Sequence, residues 1–299
     1  MAFTQAQIIE ALTVGSNAAF TQGLGTVTPQ WDKIATKVPS SGSAEFYGWL
    51  KDLPGIEEWV SDRMLVELGS NGYQIINKTY EASIKIKRTD LDDDLLGKYS
   101  VLASAWGRES ALFPDKNCYG LLALGFSTLC FDGQNFFDTD HPLETTPATT
   151  YSNVIGDPST DTGAPWFLID DTQLLKPVIY QDRKALMLEF VGATSEYAWF
   201  NNMVAQGVDG RAGFGFSFPQ IAIGSKTALT EANFELAKQR LAGMKKTNGT
   251  PLGTMATTLV VGPTNEAAAR LIVGRELLEN GSSNIYYNNV EIVVSRYLP

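Results

Sequence analysis

Apolar positions recur along this chain with two periods, one near 3.6 and one of two, and the alternation between them predicts its elements. Residues 4–22 carry Ile8, Ile9, Leu12 and Val14 as a partial helical stripe, ended by Gly23, Gly25 and Pro29. Lys37-Val38-Pro39-Ser40-Ser41-Gly42-Ser43 has the composition of a linker-like hinge. Met64–Leu68 is a candidate strand, Gly69-Ser70-Asn71-Gly72 a tight turn, and Tyr73–Ile76 the strand that leaves it. Ala82–Arg88 alternates apolar and polar residues, as a half-exposed strand does. Residues 45–88 therefore read as an extended β excursion with few apolar residues of its own to bury, stabilised by lying on another molecule.

Thr89-Asp90-Leu91-Asp92-Asp93-Asp94 opens a helix, since a capping side chain and acidic residues in the first turn complement the helix dipole. Its stripe continues through Leu95, Tyr99, Leu102 and Trp106. Pro114 suits the first turn of a second helix carrying Tyr119, Leu122 and Phe126, or a bend within one long helix. From Asp132 to Pro165 the chain is rich in Gly, Pro, Thr, Asp and Asn without periodicity, which predicts a long loop or flap. Strands are predicted at Trp166–Ile169, Pro177–Tyr180, Leu186–Phe190 and Gly213–Phe218. After Gly224 come a helix (Thr230–Met244), a buried-type strand (Thr258–Val261), a helix (Asn265–Leu278) and a strand (Asn289–Val294), the order of a compact α/β unit.

Composition narrows the function classes. The chain has 299 residues and a formal charge of −10. Such a balance argues against gripping nucleic acid through its phosphates or docking on an anionic membrane. It permits a wall that encloses DNA without holding it, because like charges repel. No stretch reaches the roughly 20 apolar residues needed to cross a bilayer, and the first residues lack the charged-then-apolar order of a signal peptide. Cys118 and Cys130 fall in a segment read as helical, ~18 Å apart, too far for a disulfide.

Catalytic chemistry is not evident. His141 is the single histidine. With Asp138 and Asp140 it offers three metal-ligand types within four residues, the basis of a metal-dependent hydrolase reading; a loop turn held by Asp and Pro is the simpler account. Asp90, Asp92, Asp93 and Asp94 read as a solvated helix start rather than a cation site. The glycines between Gly207 and Gly215 lack the strand–turn–helix setting of a dinucleotide site. Lys85, Lys87 and Arg88 read as a strand edge whose charge discourages unwanted pairing.

Several strings resemble, in order, the Mu-like phage and prophage major head subunit family. They are Tyr47-Gly48-Trp49-Leu50, Glu58-Trp59-Val60 with Arg63, and Asn77-Lys78-Thr79-Tyr80-Glu81, then Arg88 with Asp92-Asp93-Asp94. Cys130 to Phe137, Asp140-His141-Pro142, Lys176-Pro177, Gly207 to Phe216, Leu259-Val260-Val261 and Val293 to Leu298 follow. The resemblance implies an α+β chain with the Hong Kong-type tailed-phage capsid fold. That fold would place an N-terminal arm at 1–44, an E-loop at 45–88, and a P-domain with a long spine helix at 89–224, carrying an inserted loop at 132–165. An A-domain at 225–288 and a C-terminal return strand at 289–299 would complete it. The strand candidates between 176 and 218 precede the A-domain, which implies a permuted connection.

The function implied is a non-enzymatic major capsid protein without cofactors, self-assembling as hexamers and pentamers into an icosahedral shell. Scaffold and portal proteins are the implied partners. Packaged double-stranded DNA would be enclosed without specific binding, in a virion assembled in the bacterial host cytoplasm. Trp49, Trp59, Arg63, Tyr73, Lys78, Tyr80, Arg88, Asp92, Asp93 and Asp94 are the candidate subunit-interface residues, with no catalytic, cofactor or metal residues expected. Tail or decoration subunits of a phage are the alternative.

Overall fold

A computed structural model describes residues 5–47, 72–87, 89–90, 96–143, 148–191, 200, 202–246, 249–278 and 281–299. Helix α1 spans Gln5–Leu24 and α2 spans Leu96–Ala123, 28 residues with Pro114 inside. The single long helix, rather than two, is therefore what forms. Pro114 costs one hydrogen bond to the carbonyl four residues back. The helix persists because its inner face, Ala103, Trp106, Leu112, Cys118, Tyr119 and Leu122, is buried against the rest of the chain.

The first sheet has four strands in the order β1-β9-β10-β4, where β1 is Ala35–Pro39, β4 Lys78–Lys87, β9 Val178–Val191 and β10 Met203–Phe216. β9 and β10 are 14 residues each, so the two predicted strands at 177–180 and 186–190 are one. Lys37-Val38-Pro39 is not a hinge. It lies in β1, hydrogen-bonded parallel to β9 with Lys37 opposite Tyr180. Pro39 is tolerated because it ends an outer strand. β2 (Ala44–Phe46) and β3 (Gln74–Ile76) form a separate antiparallel pair. The predicted strand at Met64–Leu68 and the turn glycine Gly69 lie outside the described residues.

The predicted flap is instead packed structure. It holds β5 (His141–Leu143), β6 (Thr149–Tyr151) and β7 (Val154–Ile155). Phe136 and Phe137 are fully buried within it, Phe136 stacked on Phe216 at 4.1 Å between ring centres. Side-chain hydrogen bonds rather than periodic apolar positions hold this segment, which is why the pattern was silent.

The second sheet runs β13-β12-β8-β11-β7, with β8 Trp166–Ile169, β11 Ala222–Ser225, β12 Thr258–Val261 and β13 Glu291–Val294. The α/β unit expected after Gly224 thus takes two of its strands, β7 and β8, from 154–169. Helix α3 (Glu231–Ala242) is capped by the Thr230 hydroxyl, and α4 (Pro263–Val273) is shorter than predicted. One face of the sheet, through Trp166, Leu168, Ile223, Leu259 and Val261, packs on Phe234, Leu241 and Val273 of the two helices. The other face, through Phe167, Ile169, Ala222, Val260 and Val293, packs on Cys118, Tyr119 and Leu122 of α2. Burial on both faces explains why β8 reads as an unbroken apolar run and β12 nearly so.

Candidate assembly surface and a buried polar cluster

The four-stranded sheet has one covered and one open face, and its register sorts the residues between them. Ile84 lies opposite Gln206 and Gln206 opposite Phe190; Ala82, Val208 and Leu188 form the next row on the same face. These rows lie under α1 and α2, packed on Leu12, Phe20, Tyr99 and Trp106. The opposite rows are Lys85–Ala205–Val191, Ser83–Gly207–Glu189 and Glu81–Asp209–Met187. Met187 and Val191 are 56% and 43% exposed there, on a face that none of the described helices covers. A Lys184 ammonium bridges Glu189 and Asp209 across it, at 2.8 Å from each carboxylate. β4 is the outer strand opposite β1 in this sheet and carries exposed Lys78, Lys85 and Lys87 along it. No described strand pairs with its outer edge, and lysine there resists indiscriminate strand addition while leaving the edge available to a partner of opposite charge.

Of the sequence-predicted interface residues, Trp49, Trp59, Arg63, Arg88, Asp92, Asp93 and Asp94 lie outside the described residues. Tyr73, Lys78 and Tyr80 are described. The Tyr73 hydroxyl accepts the Phe216 backbone N–H at 2.8 Å, and burial pushes its pKa up to about 12. Tyr80 is half-buried, its ring edge-on to Phe113 of α2 at 4.7 Å. Lys78 is exposed at the start of β4, opposite Ala212. The open-face residues Met187, Glu189 and Val191 escaped sequence reasoning. The sequence from Asp182 to Val191 does not alternate apolar with polar residues, so the two faces separate only in the burial of β9.

The metal-ligand set proposed around His141 is not the one the fold assembles. Asp138 is used locally, its Oδ2 accepting the Asn135 side-chain N–H at 3.1 Å and its Oδ1 the Thr139 N–H at 2.7 Å, and Asp140 is exposed. His141 is fully buried and turns instead to Asp132, with Nδ1 2.7 Å from Oδ2. Its ring stacks on Tyr151 at 4.9 Å. The other Asp132 oxygen accepts the Cys130 thiol at 2.9 Å and the Gln134 N–H at 3.0 Å. Burial acts to raise the Asp132 carboxyl, but the bonds from His141 and Cys130 outweigh it and hold it below the ordinary range. Burial pushes the Cys130 thiol up, so as a free thiol it stays protonated and unreactive. Cys118 and Cys130 are both buried and unbridged; Cys130 lies beyond the end of α2, not within a helix as the pattern suggested.

No helix among the described residues is long and apolar enough to cross a membrane. Comparison with known proteins agrees with the ordered sequence strings. The family described as Mu-like prophage major head subunit gpT matches residues 9–298. The chain is 35% identical over 308 residues to the Mu-like prophage FluMu major head subunit of Haemophilus influenzae, covering 100% of both chains. It is 35% identical over 301 residues to the major capsid protein of Escherichia phage Mu, covering 97% of this chain and 98% of that one. Among solved structures, a chain of the bacteriophage JBD30 procapsid superposes with a TM-score of 0.82 at 35% identity, over 98% of this chain and 99% of the other. A chain of the JBD30 capsid gives 0.77 at 28% identity, over 91% of each. With nearly every residue of the chain accounted for in both sequence and fold, this protein belongs to the Mu-like prophage major head subunit family.

Proposed function

We propose that this chain is the shell-forming major capsid protein of a Mu-like phage head, assembling with copies of itself as hexamers and pentamers around packaged double-stranded DNA. The observation that carries the reading is family membership along the full length together with the capsid fold. The physical chemistry is consistent with it. Among the described residues, the long sheet has a face that no helix covers, with apolar Met187 and Val191 amid charge, and β4 has a lysine-lined edge that no strand pairs with. Such surfaces gain most when a neighbouring copy covers them. A net charge of −10 suits a wall that DNA slides past rather than adheres to. Scaffold and portal proteins are the further partners in this reading, and assembly takes place in the host cytoplasm.

Within this reading, 1–44 serves as the arm, 45–88 as the E-loop, 89–224 as the P-domain with α2 its spine, and 225–288 as the A-domain, to which β7 and β8 contribute strands. Arg63 pairs with an acidic surface such as Asp92–Asp94 of an adjacent copy. Charge reversal at Arg63 then lowers shell yield while the chain stays folded, and a normal yield removes this pairing. Lys78 and Lys85 hold non-covalent contacts; a ladder above the monomer band on denaturing gels of mature particles would show covalent links instead.

Electron microscopy of the purified chain, expressed with its scaffold and weighed by light scattering, tests the function. Closed shells, or rings of five and six, are the expected result. Tubes or fibres would overturn it in favour of a tail subunit.

A further inference from the structure

The cluster around His141 contains a hydrogen-bond requirement that only a positive centre satisfies. Asn153 is fully buried and spends both amide hydrogens, on the carbonyls of Phe136 at 2.7 Å and Pro219 at 3.1 Å. Its Oδ1 can therefore only accept, and it takes the Asp138 N–H at 2.9 Å. His141 Nε2 sits 3.2 Å from that same oxygen, so Nε2 carries a hydrogen. Nδ1 is left facing the Asp132 carboxylate oxygen at 2.7 Å. A bare lone pair against a carboxylate oxygen is repulsive, so either a proton lies between them or a metal cation, needing about 2.0 Å to each atom, sits to one side bound to both. Cys130 completes the group: its Sγ, an Asp132 oxygen and a His141 nitrogen all lie within 4.8 Å of one another.

We propose that Cys130, Asp132 and His141 form a structural site for a borderline-soft divalent cation of the zinc type, bound through the Cys130 thiolate, the Asp132 carboxylate and His141 Nδ1. Sulfur, oxygen and nitrogen donors in one site suit Zn2+ and its relatives, whereas calcium and magnesium require more oxygen ligands than Asp132 supplies. The surroundings are those of a prepared site. The tight turn from Cys130 to Gln134, closed by the Cys130 N–H to Gln134 carbonyl bond at 2.8 Å, presents sulfur and carboxylate from one loop. Gly133, at φ +86°, allows that turn. Asn153 orients the imidazole from behind, the role an outer partner plays in metal centres.

Charge balances on binding. One Zn2+ enters; the thiol proton and the proton between Nδ1 and Oδ2 leave; the cluster is neutral before and after. A water molecule is the fourth ligand. Because His141 and Cys130 are 0% and 4% exposed, metal enters during folding or local opening and then exchanges slowly. The metal would tie the 130–134 turn to β5 within the 128–155 segment of the folded chain, whatever that chain assembles into.

The test uses the full chain refolded with one equivalent of Co2+ and desalted. The expected result is one retained cobalt per chain with a near-ultraviolet thiolate-to-cobalt charge-transfer band. Cys130→Ser, the mildest of the ligand changes, is expected to lose the band, and Asp132→Asn to retain less than a tenth of the metal. Absence of retained cobalt in the parent chain, or a band that survives in Cys130→Ser, overturns the proposal. Neither outcome bears on shell formation, which microscopy reads separately.

Discussion

Gly107 on α2 faces the backbone of Phe20 on α1 so closely that a Cβ placed on it would overlap the Phe20 carbonyl oxygen; Gly23 on α1 stands in the same way to the backbone of Ser104. The two helices touch main chain to main chain at this crossing, and only glycine permits that. Gly107→Ala must push α1 away from α2 and is expected to cost about 1–3 kcal/mol, the usual cost of overpacking. Gly120→Ala on the same helix meets no atom within 4 Å and is expected to be neutral or stabilising by up to about 1 kcal/mol, through helix propensity. Thermal melts of both variants decide it; equal melting temperatures would show that the crossing does not constrain position 107.

Asp115 ties the approach to the first sheet to α2. Its Oδ1 accepts the backbone N–H of Gln30 at 2.9 Å and of Trp31 at 2.7 Å, while the Tyr119 hydroxyl donates to the Gln30 carbonyl at 2.8 Å. Burial raises its carboxyl pKa even though those two N–H bonds act to lower it, so the acceptor oxygen matters more here than the charge. Asp115→Ala leaves two N–H groups without a partner, on the order of 2 kcal/mol in a denaturant titration. Asp115→Asn keeps an acceptor and is expected to lose less than half of that.

Asp170, 1% exposed at the end of β8, predicts an acid limb in the stability curve. Burial acts to raise its carboxyl, but bonds from the Thr172 hydroxyl, the Gln173 amide and the Met255 and Thr172 N–H groups outweigh it and leave it below the ordinary carboxylate value. A depressed folded-state pKa contributes stability that is present above the unfolded value, near ~4, and is lost as pH falls through the folded one. Asp170→Asn should flatten the stability difference between pH 5 and the acid range; an unchanged slope in urea melts across that window would refute it.

Tyr73 predicts the opposite limb. Its pKa is raised from 10 to about 12, chiefly by burial, so the neutral phenol is favoured in the fold. That contribution is full below 10 and declines as pH rises towards 12. Tyr73→Phe removes this alkaline loss but leaves the Phe216 N–H without its acceptor, so its neutral-pH melting midpoint falls. Shell shape by microscopy is expected to be unchanged, because the hydroxyl is used within its own chain.

β8 and β12 of the second sheet were legible because Trp166–Ile169 is apolar throughout and Thr258–Val261 at all but its first position, and a strand buried on both faces leaves that mark; the short β7 and β11 were not. β4 was legible at Ala82–Lys87 for the complementary reason: one face meets α1 and the other meets solvent. β1 was not legible. Lys37, Pro39 and the serines after it look like linker composition, and what makes a strand of them is hydrogen bonding to β9, some 140 residues away. The segment from 132 to 165 hid its order for a related reason. Phe136, Phe137 and His141 are spaced without period and are fixed by Asn153, Asp132 and the glycines beside the phenylalanine rings.

The sequence by itself determined the family, through strings kept in order from Tyr47 to Leu298, and the element types wherever burial is periodic, since periodic burial is a local property of the chain. The tertiary structure alone decided which face of the long sheet stays open and which groups surround His141. Asp138 and Asp140, its neighbours in sequence, turn elsewhere, while Cys130, Asp132 and Asn153 reach it. Proximity in the chain places backbones near one another. Which side chains meet is decided by the turn at Gly133 and by the need of every buried polar group for a partner.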